Sequence, residues 1–176
     1  MILTVDIETT FQTKINQGHD PTPYHPKNYM VSVGMKALGA QTNYMCFKHN
    51  ERPPHPHGSG MVRELLDKTT LFVAHNVKFD LTWLLECGFE YEGEVWDTML
   101  AQYVMDRGTK QPLDLSSCCR RYKLPVKDDE YVKFYLDKGV GFEAMPWDIV
   151  EKYGRQDVEI TEKLFLAQAK EVGYVI

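Results

Sequence analysis

Two carboxylates on an otherwise apolar strand constrain this chain more than any other feature. In Met1 to Thr10, MILTVDIETT, the residues Leu3, Val5 and Ile7 alternate with Ile2, Thr4, Asp6 and Glu8. That period of two is the pattern of a β-strand, and it sends both acids out of the same face. Ionised side chains turned toward a core are costly unless something offsets their charge. Two acids one strand repeat apart, about 7 Å between Cα atoms, can share a divalent cation. A solvent-facing strand that merely carries its acids for solubility explains DxE equally well, so the motif needs partners elsewhere in the chain.

A chain of 176 residues suits a single domain spanning 1–176, since it is long enough for a substantial core and short for two. The N-terminus is apolar but has no basic leader, and no run of about 18 apolar residues occurs, so the expectation is a soluble, cytoplasmic protein without a membrane span. Cys46, Cys87, Cys118 and Cys119 show no CxxC spacing. They read as reduced thiols, with Cys46 and Cys87 as core filler. The formal charge of −5 argues against holding nucleic acid by bulk electrostatics. Any nucleic-acid contact is therefore expected to be local or mediated by metal ions.

Along the chain, residues 11–28 hold Gly18, Pro21, Pro23 and Pro26 among polar residues and read as a long irregular connection. Strands are expected over 29–38 and 43–47, joined by a turn at Gly39 to Gln41, giving an antiparallel meander with the first strand. The stretch 49–60 contains His55 and His57, which read as a solvated loop. Ser59 is expected to cap a helix over 61–68, followed by a buried strand at 70–74. The pattern Val77, Leu81, Leu84, Leu85 predicts a helix ending at Gly88. A short strand within 89–96, a helix over 98–107 capped by Asp97, and short helices at 114–122 and 128–138 follow. Pro146 opens the last and longest helix in its first turn, with an apolar stripe running to about Lys170 and Gly154 as a weak point.

Two further places carry acids on apolar surfaces. Asp80 lies in the first turns of the helix after His75. Tyr153 and Asp157 are four residues apart on the last helix, so their side chains point at one spot. Each has an ordinary structural explanation when taken alone, as a buried acceptor or a core aromatic.

Taken together, V-D-x-E-T, H-N-x-x-F-D and Y-x-x-x-D occur in this order with domain-sized separations. The set resembles the three motifs of the DEDD (DnaQ-like) 3′→5′ exonuclease superfamily. Tyr153 matches the Tyr-type branch, because Lys152 stands where the other branch has histidine. HNVKFDLTWLL, WDTMLAQYVMD and YGRQDVEITEKLF look most similar to the proofreading exonuclease of family A DNA polymerases, with RNase D-like enzymes next. The chain departs from that pattern after Glu8-Thr9-Thr10, where Gly-Leu is usual, and in its long loop to the second strand.

The resemblance implies an RNase H-like α/β fold: a mixed five-stranded sheet, three strands antiparallel and then parallel ones, flanked by helices. It implies a metal-dependent 3′→5′ exonuclease acting on single-stranded DNA ends with two divalent ions, Mg²⁺ or Mn²⁺. Asp6, Glu8, Asp80 and Asp157 would be the metal ligands, with Asp6 bridging, Glu8 and Asp157 completing one site and Asp80 reaching the other. Tyr153 would orient the attacking water. Thr9 and Asn76 are the candidates for binding the terminal sugar or phosphate, and Phe11 or Phe79 for stacking on a base. Lys110, Arg120, Arg121, Lys123 and Lys127 form a basic cluster that either follows a strand backbone or is a solvated face. The chain starts almost at the first motif and stops soon after the third, which suggests a stand-alone nuclease of a phage or bacterium, or an excised proofreading domain with a polymerase partner. An RNA-trimming enzyme and a catalytically silent binding module are the alternatives.

Overall fold

The computed structural model describes residues 1–14 and 18–176, and the side chains outside 12–19. The alternation of the first ten residues forms β1 (Ile2–Thr9). A short hairpin follows, β2 (Gln12–Lys14) paired antiparallel with β3 (Gly18–Asp20). Then come β4 (Met30–Ala37), β5 (Asn43–Cys46), α1 (Gly58–Asp67), β6 (Leu71–Ala74), α2 (Val77–Glu86), β7 (Glu94–Asp97), α3 (Thr98–Met105), α4 (Leu115–Arg121), α5 (Glu130–Asp137) and α6 (Trp147–Val172). The main sheet has five strands in the order β5-β4-β1-β6-β7. β1, β4 and β5 pair antiparallel, whereas β1, β6 and β7 pair parallel. This is the expected mixed sheet, with β1 at its centre. Among the described residues no helix is long and apolar enough to cross a membrane.

The hairpin corrects the expectation of a wholly irregular connection over 11–28, although 15–17 lie outside the described residues. Strands of three residues are too short to show a period in sequence. Beyond β3 the chain is irregular, and it is tied down: the Asn28 amide donates to the carbonyls of Asp20 (2.8 Å) and Thr22 (2.9 Å), and the Trp83 indole donates to that of Pro21 (3.0 Å).

Period-two alternation gives β1 two buried faces. Leu3, Val5 and Ile7 pack with Val62 and Leu66 of α1 and Trp83 and Leu84 of α2. On the other face Ile2 meets Leu71, Val73, Phe165 and Ala169, beneath α6. The acids emerge on this second face. α6 reaches the sheet closely because a glycine on each side of the contact leaves room for a side chain from the other. A Cβ on Gly34 of β4 would stand 2.7 Å from Val158 Cγ2, and one on Gly154 would overlap the Tyr44 ring. Gly154 is therefore a packing requirement of the helix rather than a flaw in it. Lys36 pairs with Glu162 at 2.5 Å, and the Arg155 guanidinium donates to the Thr42 carbonyl at 2.5 Å, fixing the helix along β4 and the turn after it.

Several local expectations change. α1 begins at Gly58 with no side-chain cap, so Ser59 lies inside its first turn. Trp83, rather than Leu85, completes the buried stripe of α2, and Leu85 is 48% exposed. Cys87 is exposed just past the end of that helix, so it is not core filler, whereas Cys46 is buried. Pro146 precedes the first turn of α6 instead of occupying it. Asp97 caps α3 as expected, accepting from the amides of Met99 and Leu100.

The glycine contact predicts that Gly154→Ala lowers stability, although alanine favours a helix by up to about 1 kcal/mol. Overpacking against Tyr44 is expected to cost about 1–3 kcal/mol and to outweigh that gain. Urea unfolding of the two proteins reads the sign directly.

Candidate active site

The site lies where parallel pairing stops. β6 pairs with β1 only from Ile2 to Thr4, which leaves the edge of β1 open beyond that point. Asp80, in the first turn of α2, fills the opening: its Oδ1 accepts from the Ile7 backbone amide at 3.0 Å. The start of α2 is itself held by Asp97, whose carboxylate accepts from the amides of Asn76 and Val77, both at 3.0 Å. Asn76 makes the turn in a left-handed conformation with φ 72°, which asparagine tolerates. His75 is anchored through both ring nitrogens, to Thr98 Oγ1 and the Leu113 carbonyl at 2.9 Å each. Burial lowers its pKa, keeping the ring neutral.

Asp6 faces Gly34 and Glu8 faces Ser32 in the β1–β4 ladder, directly under α6. Because the glycines bring α6 close, Asp157 descends onto the pair. One oxygen from each of Asp6, Glu8 and Asp157 lies within 4.8 Å of the others. Asp80 stands outside this trio, tied to β1, yet close enough that the Asp6 charge acts on it.

The electrostatics are those of crowded acids. Burial and then the charge of Asp157 push Asp6 up to about 7. Burial is also the first cause holding Glu8 and Asp80 well above the usual carboxylate range, with neighbouring acids adding to it. Asp157 shifts upward through burial and is partly rescued by Lys127. Burial, followed by the charges of Glu8 and Asp157, drives the Tyr153 hydroxyl far upward, so the phenol stays protonated. Asp6 Oδ2 and Asp157 Oδ1 are buried without a hydrogen-bond partner among the described residues. Unsatisfied carboxylate oxygens converging on one point fit a hard divalent cation, which prefers oxygen ligands and offsets their repulsion.

Lys127 is the residue that sequence reasoning misplaced. Its ammonium donates to Asp157 Oδ2 at 2.8 Å and to the Tyr153 hydroxyl at 2.6 Å. The basic cluster is thereby split. Arg121 is structural, bonded to Asp106 and to the Pro112 carbonyl, while Lys110, Arg120 and Lys123 remain exposed. Lys127 precedes Asp128, Asp129 and Glu130, so its sequence surroundings look like any solvated charge run.

An apolar pocket of about 250 Å³ opens beside Glu8, lined by Thr9, Phe11, Pro21, Phe79, Leu136 and Phe142. A second pocket of about 300 Å³ shares Pro21 and Phe79 with it and adds Tyr24, Asn76, Lys78 and Thr82. Thr9, Phe11 and Phe79 thus share a pocket with Glu8, whereas Asn76 lines the second pocket. Phe142, which no sequence pattern had marked, stacks obliquely on Tyr153 with ring centroids 5.8 Å apart.

Comparisons to known proteins identify the family and the fold. A DNA polymerase of Bacillus phage SP01 is 26% identical over 175 residues, covering 91% of this chain and 19% of the polymerase. The chain spans less than a fifth of the length of the curated DNA polymerases it matches. Among solved structures, Brucella melitensis NrnC bound to pGG superposes with a TM-score of 0.63 at 17% identity, covering 98% of this chain and 75% of that one. Escherichia coli RNase D, an exoribonuclease involved in structured RNA processing, superposes with a TM-score of 0.62 at 14% identity, covering 99% of this chain and 41% of that one. The shared fold is the RNase H-like fold of DEDD exonucleases. A family model described as 3′-5′ exonuclease matches residues 23–172, beginning after Asp6 and Glu8 but including Asp80, Tyr153 and Asp157. On that match, the chain belongs to the 3′-5′ exonuclease family of A-type DNA polymerases.

Proposed function

We propose that this exonuclease removes nucleoside monophosphates from the 3′ end of single-stranded DNA by a two-metal mechanism, as one domain serving replication in the cytoplasm of a bacterium or phage-infected cell. The observation that supports it is the convergence of Asp6, Glu8 and Asp157 beside an aromatic-lined pocket. Asp6, Glu8 and Asp157 are assigned to one divalent ion, and Asp6 with Asp80 to a second. Bound Mg²⁺ or Mn²⁺ supplies an activated water and charge stabilisation at the leaving oxygen.

The chain's own residues do the rest. Tyr153, protonated at any ordinary pH, orients the attacking water through its hydroxyl and does not abstract the proton. Phe11, Phe79 and Phe142 receive the terminal base, and Thr9 contacts its sugar. Tyr24, Asn76 and Lys78 line the continuation of the groove and take the preceding nucleotide, with the Tyr24 ring, 70% exposed, available for stacking. Unpaired bases alone can enter such chambers, which favours single strands over duplexes. The likeness to RNase D supports a second reading, in which the same groove accepts RNA.

Labelled single strands test this reading. With Mg²⁺ or Mn²⁺, a 5′-labelled DNA strand is expected to shorten in single-nucleotide steps, and chelator to stop it. Asp6→Ala should lower the rate more than about 100-fold, beyond the effect typical of residues behind metal ligands, and Tyr153→Phe by about 10- to 100-fold. Matched DNA and RNA oligomers digested in parallel decide between the two substrates. Full activity of purified Asp6→Ala rejects the mechanism.

The raised carboxylates also set a pH dependence. Between about pH 4, where an unfolded aspartate titrates, and about 7, where Asp6 does, the native state holds protons that the unfolded chain has released. Stability of the metal-free protein should therefore fall as pH rises through that window. Added Mg²⁺ should reverse the loss above pH 7 and have little effect near pH 5, as thermal melts at fixed ionic strength would show.

A further inference from the structure

Lys127 has a place that the exonuclease reading leaves unexplained. Its side chain is 17% exposed, and its ammonium bonds both Asp157 and Tyr153 while lying 4.5 Å above the Tyr153 ring. Asp157 Oδ2 and the hydroxyl that is to orient water are thus both engaged by the same cation, while Asp157 Oδ1 stays open. An ammonium and a divalent ion sharing one carboxylate repel each other in proportion to their charges, so each weakens the binding of the other. One monovalent charge also offsets only part of the trio, and among the described residues Asp6 Oδ2 and Asp157 Oδ1 have no hydrogen-bond partner with the lysine in place.

The surroundings allow the lysine to leave. Lys127 sits in the non-helical stretch between α4 and α5, and among the described residues its neighbour Asp128 is tied to α6 only through Gln156 and an exposed pair with Lys152 at 3.3 Å. Exposed pairs of this kind restrain a segment weakly. On its outer side Lys127 borders a polar cavity of about 490 Å³, lined also by Ser116, Ser117, Arg120, Asp129 and Lys133. The Asp114 carboxylate at its edge is committed to the Ser117 amide, and Asp129 to Lys133. Two hydroxyls, a guanidinium and an incoming ammonium are suited to a phosphodiester.

We propose that Lys127 is an exchangeable counter-cation, which holds Asp157 and Tyr153 until a divalent ion takes the carboxylates and then turns into the Ser116–Ser117–Arg120 cavity to bind a phosphate of the strand. Exchange frees the second carboxylate oxygen of Asp157, Oδ2, and the hydroxyl of Tyr153. It also creates the phosphate contact only in the metal-loaded protein, so that metal and strand favour each other's binding. The proposal rests on the assignment of Asp6, Glu8 and Asp157 to a divalent ion.

Two measurements on the full chain test it, and neither reads activity. In the first, lysines are reductively methylated with and without Mn²⁺ and quantified by mass spectrometry. Lys127 is expected to be protected without the metal and labelled severalfold faster with it, while Lys110 and Lys123 do not change. In the second, Mn²⁺ binding is followed by calorimetry. A clasp closed about nine-tenths of the time weakens apparent affinity tenfold, so Lys127→Met should bind Mn²⁺ on the order of tenfold more tightly, and Lys127→Arg, which keeps the competing charge, close to the original. Lys127 remaining protected in protein shown to hold Mn²⁺ overturns the exchange and leaves the metal site standing. No Mn²⁺ binding by the unaltered chain or by Lys127→Met overturns both.

Discussion

The structure depends on the repulsion among acids that are pressed together under one helix. Asp6 and Glu8 are fixed by the central strand, Asp80 by a hydrogen bond to the same strand, and Asp157 by α6. Burial raises all four, and the charges of neighbouring acids add to it at Asp6, Glu8 and Asp80. Such an arrangement is stable only because the remaining contacts of α6 hold it down. The Gly34 and Gly154 approach, the Lys36–Glu162 pair and the apolar packing of Ile160, Leu164 and Phe165 provide that hold. Stability is spent to keep charges together, which is the usual sign of a site built to receive a cation.

The two flanks of the acids differ in chemistry. Toward β1 and α2 lie apolar, aromatic chambers suited to bases. Toward α4 and α5 lies a cavity of hydroxyls and cations suited to phosphates. Tyr153 and Lys127 stand between them. A nucleic acid has the same division between bases and backbone, so a strand lying across the acids would meet the matching surface on each side. On the proposed reading, this local matching reconciles a nucleic-acid substrate with the net charge of −5, since contact confined to the cleft needs no broadly basic surface.

Much of the fold was legible because it rests on periodicity and caps. The alternation in β1, the cap at Asp97 and the long stripe of α6 are all encoded within a few residues of where they act. The acids were legible in two steps, since charged residues on apolar faces conflict with burial and ask for an explanation, and only the resemblance of their combined motifs to the DEDD exonucleases joined them into one site. What escaped was decided by distant contacts. The β2–β3 hairpin is too short to show a period, and α2 buries Trp83 while Leu85 and Cys87 stay exposed. Gly154 read as a helix defect because its partner, the Tyr44 ring, comes from a strand more than a hundred residues earlier. Lys127 was hidden among neighbouring charges, and only the fold reveals that it alone of the basic cluster turns inward to the acids.

The central claim is that the cleft between β1 and α6 is a divalent-cation site in which metal and Lys127 exclude each other. Its most direct measurement is an anomalous difference map from a crystal soaked in Mn²⁺. The account predicts a peak coordinated by Asp6, Glu8 and Asp157, with the Lys127 ammonium withdrawn from Asp157 toward Arg120. A map with no peak at these carboxylates, or a peak there with Lys127 still bonded to Asp157, would contradict it.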